Sequence, residues 1–246
     1  MLKLVAIHQP NFFPWLGYFD KIRRADAFIF LDDAQFPKTG GSWLNRVKIL
    51  QQGKARWLTA PIERNYSGTR LVSEMRFAGQ DDWRDKTLKT LQAAYGRAPH
   101  YDATMALVTP LLTQPDNDLA AYNIHAITTL GTALGLQHKQ LRRSADFALT
   151  TTATERLIAL TKAADGTGYL CGGGAEGYQD DTLFAEAGLT LEYQNFSSWV
   201  YPQVGAAEFV PGLSVLDALM QVGQATVASW MQATTVARAS SAKVVA

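Results

Sequence analysis

The chain is poor in most of the residues that announce a specialised class. Its 246 residues include one cysteine, Cys171, so no internal disulfide can form and the composition suits a reducing compartment. There are four histidines, none close to Cys171 in sequence, which argues against a structural zinc site. Charge is sparse as well: 18% of residues are charged and the formal net charge is +1. Such a chain carries no broad electrostatic footprint for nucleic acid or an anionic membrane, although a local basic pocket for a phosphate is compatible with it. No apolar run approaches the roughly 20 residues of a membrane helix. The run after Lys3 is too short for a signal-peptide core. The expectation is a cytoplasmic protein, with no nucleic-acid partner and no membrane insertion.

Hydrophobic residues make up 47% of the chain, and mean hydropathy is −0.08. That is enough to bury a full core, in one α/β domain enlarged by an insertion. The information is concentrated between Leu4 and Gln35. A short apolar run, Leu4 to Ile7, breaks into His8-Gln9-Pro10, and a loop with Asn11 and Pro14 follows. Trp15, Leu16, Tyr18, Phe19 and Ile22 then recur at helical spacing, and a second apolar run, Ala27 to Leu31, ends in Asp32-Asp33. Strand, loop, helix, strand is the pattern of a parallel βαβ unit. The carboxyl ends of such strands face the ligand crevice, so His8, Gln9, Asp32 and Asp33 are predicted on one rim.

Beyond the turn-rich link Pro37–Trp43, the segments Trp43–Leu50 and Arg56–Ile62 read as a hairpin around Gln51-Gln52-Gly53-Lys54. Arg70–Phe77 reads as a further strand. Three helical patterns follow from Asp81 to Leu134. The first ends at Gly96 and Pro99, Pro110 kinks or breaks the second, and Gly135 stops the third. From His138 to Tyr193 the pattern returns to strand, helix, strand, helix, strand. Thr152 to Glu155 reads as a capping box, and Gly172-Gly173-Gly174 follows a strand. The last helix starts near Ser214, again with a capping-box pattern through Asp217, and the final residues are predicted to fray. The predicted fold is a three-layer α/β domain with a mainly parallel sheet of Rossmann-like βαβ units. Residues 1–35 and 136–223 form its core, 36–135 a β-rich and helical insertion or cap, and 224–246 a C-terminal helix and tail.

Several constellations bear chemistry. A neutral imidazole at a strand end, His8, is a natural general base. Asp32 and Asp33 can hold a sugar hydroxyl or a divalent cation, or simply cap the next turn. Lys38, Asn45 and Arg46 supply donors for a phosphate or carboxylate, against the alternative of a solvated basic strand. Gly172, Gly173 and Gly174, between strand and helix, permit close backbone approach to an anion, or a tight packing turn. Cys171 reads as a core thiol. Pro10 to Tyr18 has the outline of the proline-rich loop and turn of nucleotidylyl transferases. Trp15 and Tyr18, however, stand where that turn needs histidines.

The blocks HQPNFFPWLGYFDKI, LDDAQFPK, WLNRVKI, WLTAPI, YLCGGGAEGY and YPQ…FVPGLSVLDAL together resemble the WbqC-like proteins of bacteria, in the family's order from Val5 to Gly223. The matching positions are His8, Gln9, Pro10, Asn11, Pro14, Gly17, Lys21, Asp32, Asp33, Gln35, Lys38, Asn45, Arg46, Thr59, Pro61, Gly172 and Asp217. The resemblance implies a cytoplasmic protein associated with O-antigen or other surface-polysaccharide synthesis, and an aminoacyl (glycine) transferase role. The leading expectation is therefore a transferase acting on an activated or nucleotide-linked amino sugar, a small phosphate- or nucleotide-bearing substrate. In it, His8, Asp32 and Asp33 are catalytic. Gln9, Asn11, Lys21, Gln35, Lys38, Asn45, Arg46, Thr59 and the Gly172–Gly174 loop bind substrate, and the cofactor stays open between Mg²⁺ and a nucleotide. Adenylyl transfer, and a non-catalytic binding or scaffold role, stand as alternatives.

Overall fold

A computed structural model describes residues 1–38, 42–79, 83–173 and 180–232. Its centre is a five-stranded parallel sheet. The strands are β1 (Leu4–His8), β2 (Ala27–Phe30), β5 (Gln140–Arg143), β6 (Gly168–Cys171) and β7 (Thr190–Tyr193), in the order β5-β2-β1-β6-β7. The helix α1 (Leu16–Arg24) links β1 to β2 as expected, with Val5 opposite Ala27 and His8 opposite Phe30. β1 is then flanked by β6, with Val5 opposite Tyr169. The winding therefore reverses between β1 and β6. In sheets of this kind the ligand crevice opens beyond the strand ends where the order reverses.

Strand alternation sorts the side chains into two cores, as a sheet covered on both faces requires. Ala6, Phe28, Phe30 and Leu170 face the larger core, which also takes in α1, Phe12, Phe13 and the helices between the two halves of the sheet. Val5, Ile7, Ala27, Ile29, Tyr169 and Cys171 face a smaller one, closed by Leu160 of α5 (Ala153–Ala163) and Phe184 of α6 (Asp181–Glu186). The result is a three-layer α/β fold.

The intervening segment holds a hairpin, β3 (Arg46–Gln51) and β4 (Lys54–Thr59), and three helices, α2 (Trp83–Tyr95), α3 (Tyr101–Thr113) and α4 (Leu119–Ala133). The hairpin turn is Gln52-Gly53, with φ of 53° and 70°. Two positive φ values in a two-residue loop match the right-handed twist of the strands it joins. α3 continues through Pro110, and α4 is closed by Gly135 at φ 82°. The last helix, α7 (Val215–Gln232), is broken at Gly223 and packs on α3 and α1.

Three expectations are corrected. Arg70–Phe77 is not a strand but a 3₁₀ turn, Val72–Glu74, flanked by single bridges from Gln35 to Leu71, Ile62 to Phe77 and Arg76 to Asp118. Glu74 accepts from Leu71 N–H at 2.7 Å and closes the turn, so the segment pairs with three different stretches rather than one. No side chain caps α5 at Thr152: Ala153 sits at φ 50°, and Thr154 Oγ1 instead accepts from Asp180 N–H at 3.1 Å. At α7, Ser214 Oγ does accept from Leu216 N–H at 3.2 Å, but Asp217 does not complete a box. It turns inward, where Tyr201 Oη and Gln203 Nε2 each donate to its Oδ2 at 2.8 Å. The expected frayed tail, residues 237–246, lies outside the described residues.

Candidate functional site

His8 ends β1 and is partly buried against Tyr18 and Trp15, at ring separations of 4.9 and 5.9 Å. Its Nδ1 lies 3.1 Å from the Gln9 carbonyl oxygen. A carbonyl can only accept, so Nδ1 carries the proton and Nε2 presents a lone pair. Among the described residues Nε2 has no hydrogen-bond partner. Burial, then the neighbouring Lys21 charge, pushes the imidazole pKa down to about 3, while the Gln9 bond works weakly the other way. His8 is a neutral base at any ordinary pH.

Lys21 comes from the buried side of α1 and is only 3% exposed. Its ammonium donates to the Ile7 carbonyl at 3.0 Å, its one hydrogen bond among the described residues. A Cβ added to Gly172 would lie 3.9 Å from Nζ, so the ammonium sits at the mouth of the loop that leaves β6. Burial lowers its pKa to about 8, with the Cys171 thiol opposing. A buried cation with N–H groups to spare is held ready for an anion. His8, Lys21 and Gly172 thus meet where the strand order reverses, with exposed Gly173 next in line. Gly174 lies outside the described residues.

The loop between β1 and α1 is fixed from several sides. Tyr18 Oη donates to the Gln9 carbonyl at 2.9 Å, and Phe13 sits at φ 40°. Asn123 of α4 donates to the carbonyls of Pro10 (2.8 Å) and Leu44 (2.7 Å), and Phe12 N–H to that of Trp43 (2.9 Å). These bonds lock the His8 loop to the entry of the hairpin. Indole rings continue outward from His8: Trp15 to Trp43 is 5.5 Å, and Trp43 to Trp57 is 5.0 Å. Arg46 and Lys48 of β3 lie 4.1 and 5.3 Å from the Trp57 ring. Arg46 pairs with exposed Thr59 and Lys48 with Trp57 across the strands, so all four share one face.

Trp15 depends on Gly17. A Cβ there would approach the Trp15 Nε1 to 2.6 Å and Phe196 Cδ1 to 2.8 Å. Gly17→Ala should therefore fold but push Trp15 off His8, at a cost of about 1–3 kcal/mol despite alanine's better helix propensity. Denaturant midpoints and a changed tryptophan emission maximum check this.

The other expected residues have different surroundings. Asp32 is fully buried: Arg143 Nε donates to its Oδ2 at 2.5 Å, and Ala145 N–H to its Oδ1 at 3.2 Å. Asp33 is bound by Arg156 and, at 2.6 Å, by the Ser144 hydroxyl. Among the described residues no hydrogen bond joins either carboxylate to His8. Guanidinium, hydroxyl and amide donors already fill these oxygens, so the pair does not fit a Mg²⁺ site. Among the described residues no cluster of three potential metal ligands occurs. Asn45 is buried and ties the hairpin through Ala60 (2.8 Å). Asn11 is buried, Gln9 partly so, and Gln35 and Lys38 are exposed, with the Lys38 carbonyl accepting from Arg64. Sequence reasoning missed Trp43, Lys48, Trp57 and Asn123. The signals were a tryptophan, Trp57, on a hairpin whose other strand alternates Arg46 and Lys48, and an asparagine inside the apolar run Leu119–Ile127.

A model of the WbqC-like protein family matches residues 9–229, nearly the whole chain. The chain belongs to the WbqC-like family. It is also 31% identical over 224 residues to the uncharacterized protein Rv1507c of Mycobacterium tuberculosis, covering 90% of this chain and 95% of that one. No solved structure matches it. In this WbqC-like protein the match begins at Gln9, beside the proposed base, and takes in Lys21, the hairpin, Gly172 and Asp217. Among the described residues no helix is long and apolar enough to cross a membrane.

Proposed function

We propose that this WbqC-like protein is a transferase that passes an activated acyl group, such as an aminoacyl group, to the amine or hydroxyl of an amino sugar carried on a nucleotide. The observation that supports this best is the pairing at the reversal of strand order. A neutral His8 offers a free Nε2 beside a buried Lys21 that can take an anion. In the reaction, the acceptor amine bonds to the acyl carbon while His8 Nε2 takes its proton. The activating group leaves with the electrons of the broken bond, and the proton passes from His8 to it or to water. Lys21 holds the anionic part of the acyl donor. Once that anion pairs with Lys21, one of the two causes that depress the His8 pKa is neutralised, so the base strengthens when substrate is in place.

The pH dependence follows from these groups. Lys21 must be charged to hold the anion and titrates near pH 8 in the free protein, so kcat/KM should fall as pH rises above about 8. For the direct test, the protein is incubated with a UDP-linked amino sugar and a glycyl thioester, and mass spectrometry looks for a product heavier by one glycyl group. His8→Ala should fold normally by circular dichroism and lose at least about 100-fold in rate. Equal product from wild type and His8→Ala would remove His8 from the chemistry, and no product from wild type with any acyl donor tried would sink the reading. A place in surface-polysaccharide synthesis is part of the same proposal, and it rests on the substrate that this test identifies.

A further inference from the structure

The outer face of the hairpin has features that packing does not explain. Trp43 is 38% exposed and Trp57 42%, two of the largest apolar side chains the fold leaves to solvent. They are joined edge to face, with an interplanar angle of 65°, and continue the indole series that starts beside His8. Two cations sit on the same face, and among the described residues neither the Arg46 nor the Lys48 side chain has a hydrogen bond or ion pair. The Arg46 Nε is buried and without an acceptor. A buried donor left in that state costs free energy unless a ligand supplies the acceptor. Thr59, directly opposite Arg46, adds an exposed hydroxyl.

From this juxtaposition we infer that Trp43, Trp57, Arg46, Lys48 and Thr59 form a binding site for a nucleoside diphosphate, with the base stacked on the indoles and the phosphates on Arg46 and Lys48. The inference rests on the transferase reading for what the nucleotide carries, but the site itself stands on the hairpin. Chemistry selects the ligand. An exposed indole favours a flat π-face, and every nucleobase has one. A guanidinium matches phosphate oxygens through paired N–H donors, and the Arg46 guanidinium already rests 4.1 Å from the centre of the Trp57 ring, which restrains it. The two cations are two residues apart on one strand face, so both can reach one diphosphate. A net charge of +1 argues against nucleic acid as the ligand, because long polyanions bind through broad basic surfaces rather than two side chains. The indole series gives the nucleotide a direction: its base lies on the hairpin and the group it carries extends past Trp15 toward His8.

The probes are UDP, ADP, glucosamine 1-phosphate and a short single-stranded oligonucleotide, titrated into the full chain by tryptophan fluorescence quenching and calorimetry. UDP and ADP should bind within a few-fold of each other and quench the emission. Trp43→Ala should weaken UDP at least about tenfold, and Trp43→Tyr, which keeps a stacking face, much less. The double variant Arg46→Met/Lys48→Met should lose still more and should flatten the salt dependence. If Trp43→Ala does not fold, the double variant carries the test alone. Unchanged UDP affinity in the variants overturns the inference. So does glucosamine 1-phosphate binding as tightly as UDP, an oligonucleotide binding more tightly, or no binding of either nucleotide. His8→Ala should retain UDP affinity, so failure of the transferase reading and failure of this site give different results.

Discussion

Replacing Lys21 with methionine should make the protein more stable and inactive. The buried ammonium has a folded pKa of about 8 against 10.5 for an ordinary lysine, which corresponds to a penalty of roughly 3 kcal/mol at neutral pH. Methionine keeps the length and apolar stem without the charge, and gives up one bond to the Ile7 carbonyl. A net gain of about 1–3 kcal/mol is expected, several degrees in Tm for a chain of this size. Between pH 8 and 10.5 the unfolded chain binds more protons at this lysine than the folded one does. Wild type therefore gains stability as pH rises through that window, while Lys21→Met does not. The difference should be largest near pH 7 and nearly gone above about pH 10.5. Proton chemical shifts should also place the His8 pKa of the variant higher than in wild type, because one of its depressing causes is gone. A residue whose removal stabilises the fold while ending turnover is held for its function. If Lys21→Met is instead destabilised at pH 7, Lys21 is a structural donor to the strand end.

How much of this could be read from the sequence depended on the range of the interaction. Local patterns worked: the βαβ unit, the Gln52-Gly53 turn and the Gly135 stop are each set by residues within a few positions. The parallel sheet followed, because strands of small aliphatics separated by helices leave few other pairings. Arg70–Phe77 failed because Leu71, Arg76 and Phe77 bridge to three separate stretches, and no periodicity encodes that. Asp217 failed similarly: its spacing from Ser214 suits a cap, but Tyr201 and Gln203, 16 and 14 positions away, compete for the carboxylate. Within the candidate site, His8 was visible because a titratable group ends an apolar run. Lys21 was visible only through the family pattern, since on a helical wheel it reads as an exposed charge. The tryptophans of the hairpin looked like strand formers until the face they share with Arg46 and Lys48 was known.

Asp32→Ala should cost about 2–4 kcal/mol of stability, measured by urea unfolding at pH 7. The carboxylate is fully buried, and its loss strands Arg143 Nε and Ala145 N–H together. Breaking a fully buried ion pair from one side typically costs 3–5 kcal/mol, but Arg143 is 42% exposed and can recover water, which lowers the figure. Ser144 sharpens the comparison with Asp33. Its hydroxyl has one proton and lies 2.6 Å from Asp33 Oδ1 but 3.1 Å from Asp32 Oδ1, so the proton belongs to Asp33 and Asp32 relies on its other donors. Asp32→Asn can keep the Ala145 contact through its carbonyl oxygen and should cost only about 1–2 kcal/mol. The ordering Ala worse than Asn, with kcat/KM following the folded fraction in both, marks Asp32 as the brace that joins the ends of β2 and β5. A carboxylate that touches substrate would give the reverse: Asp32→Asn as stable as wild type, and no turnover.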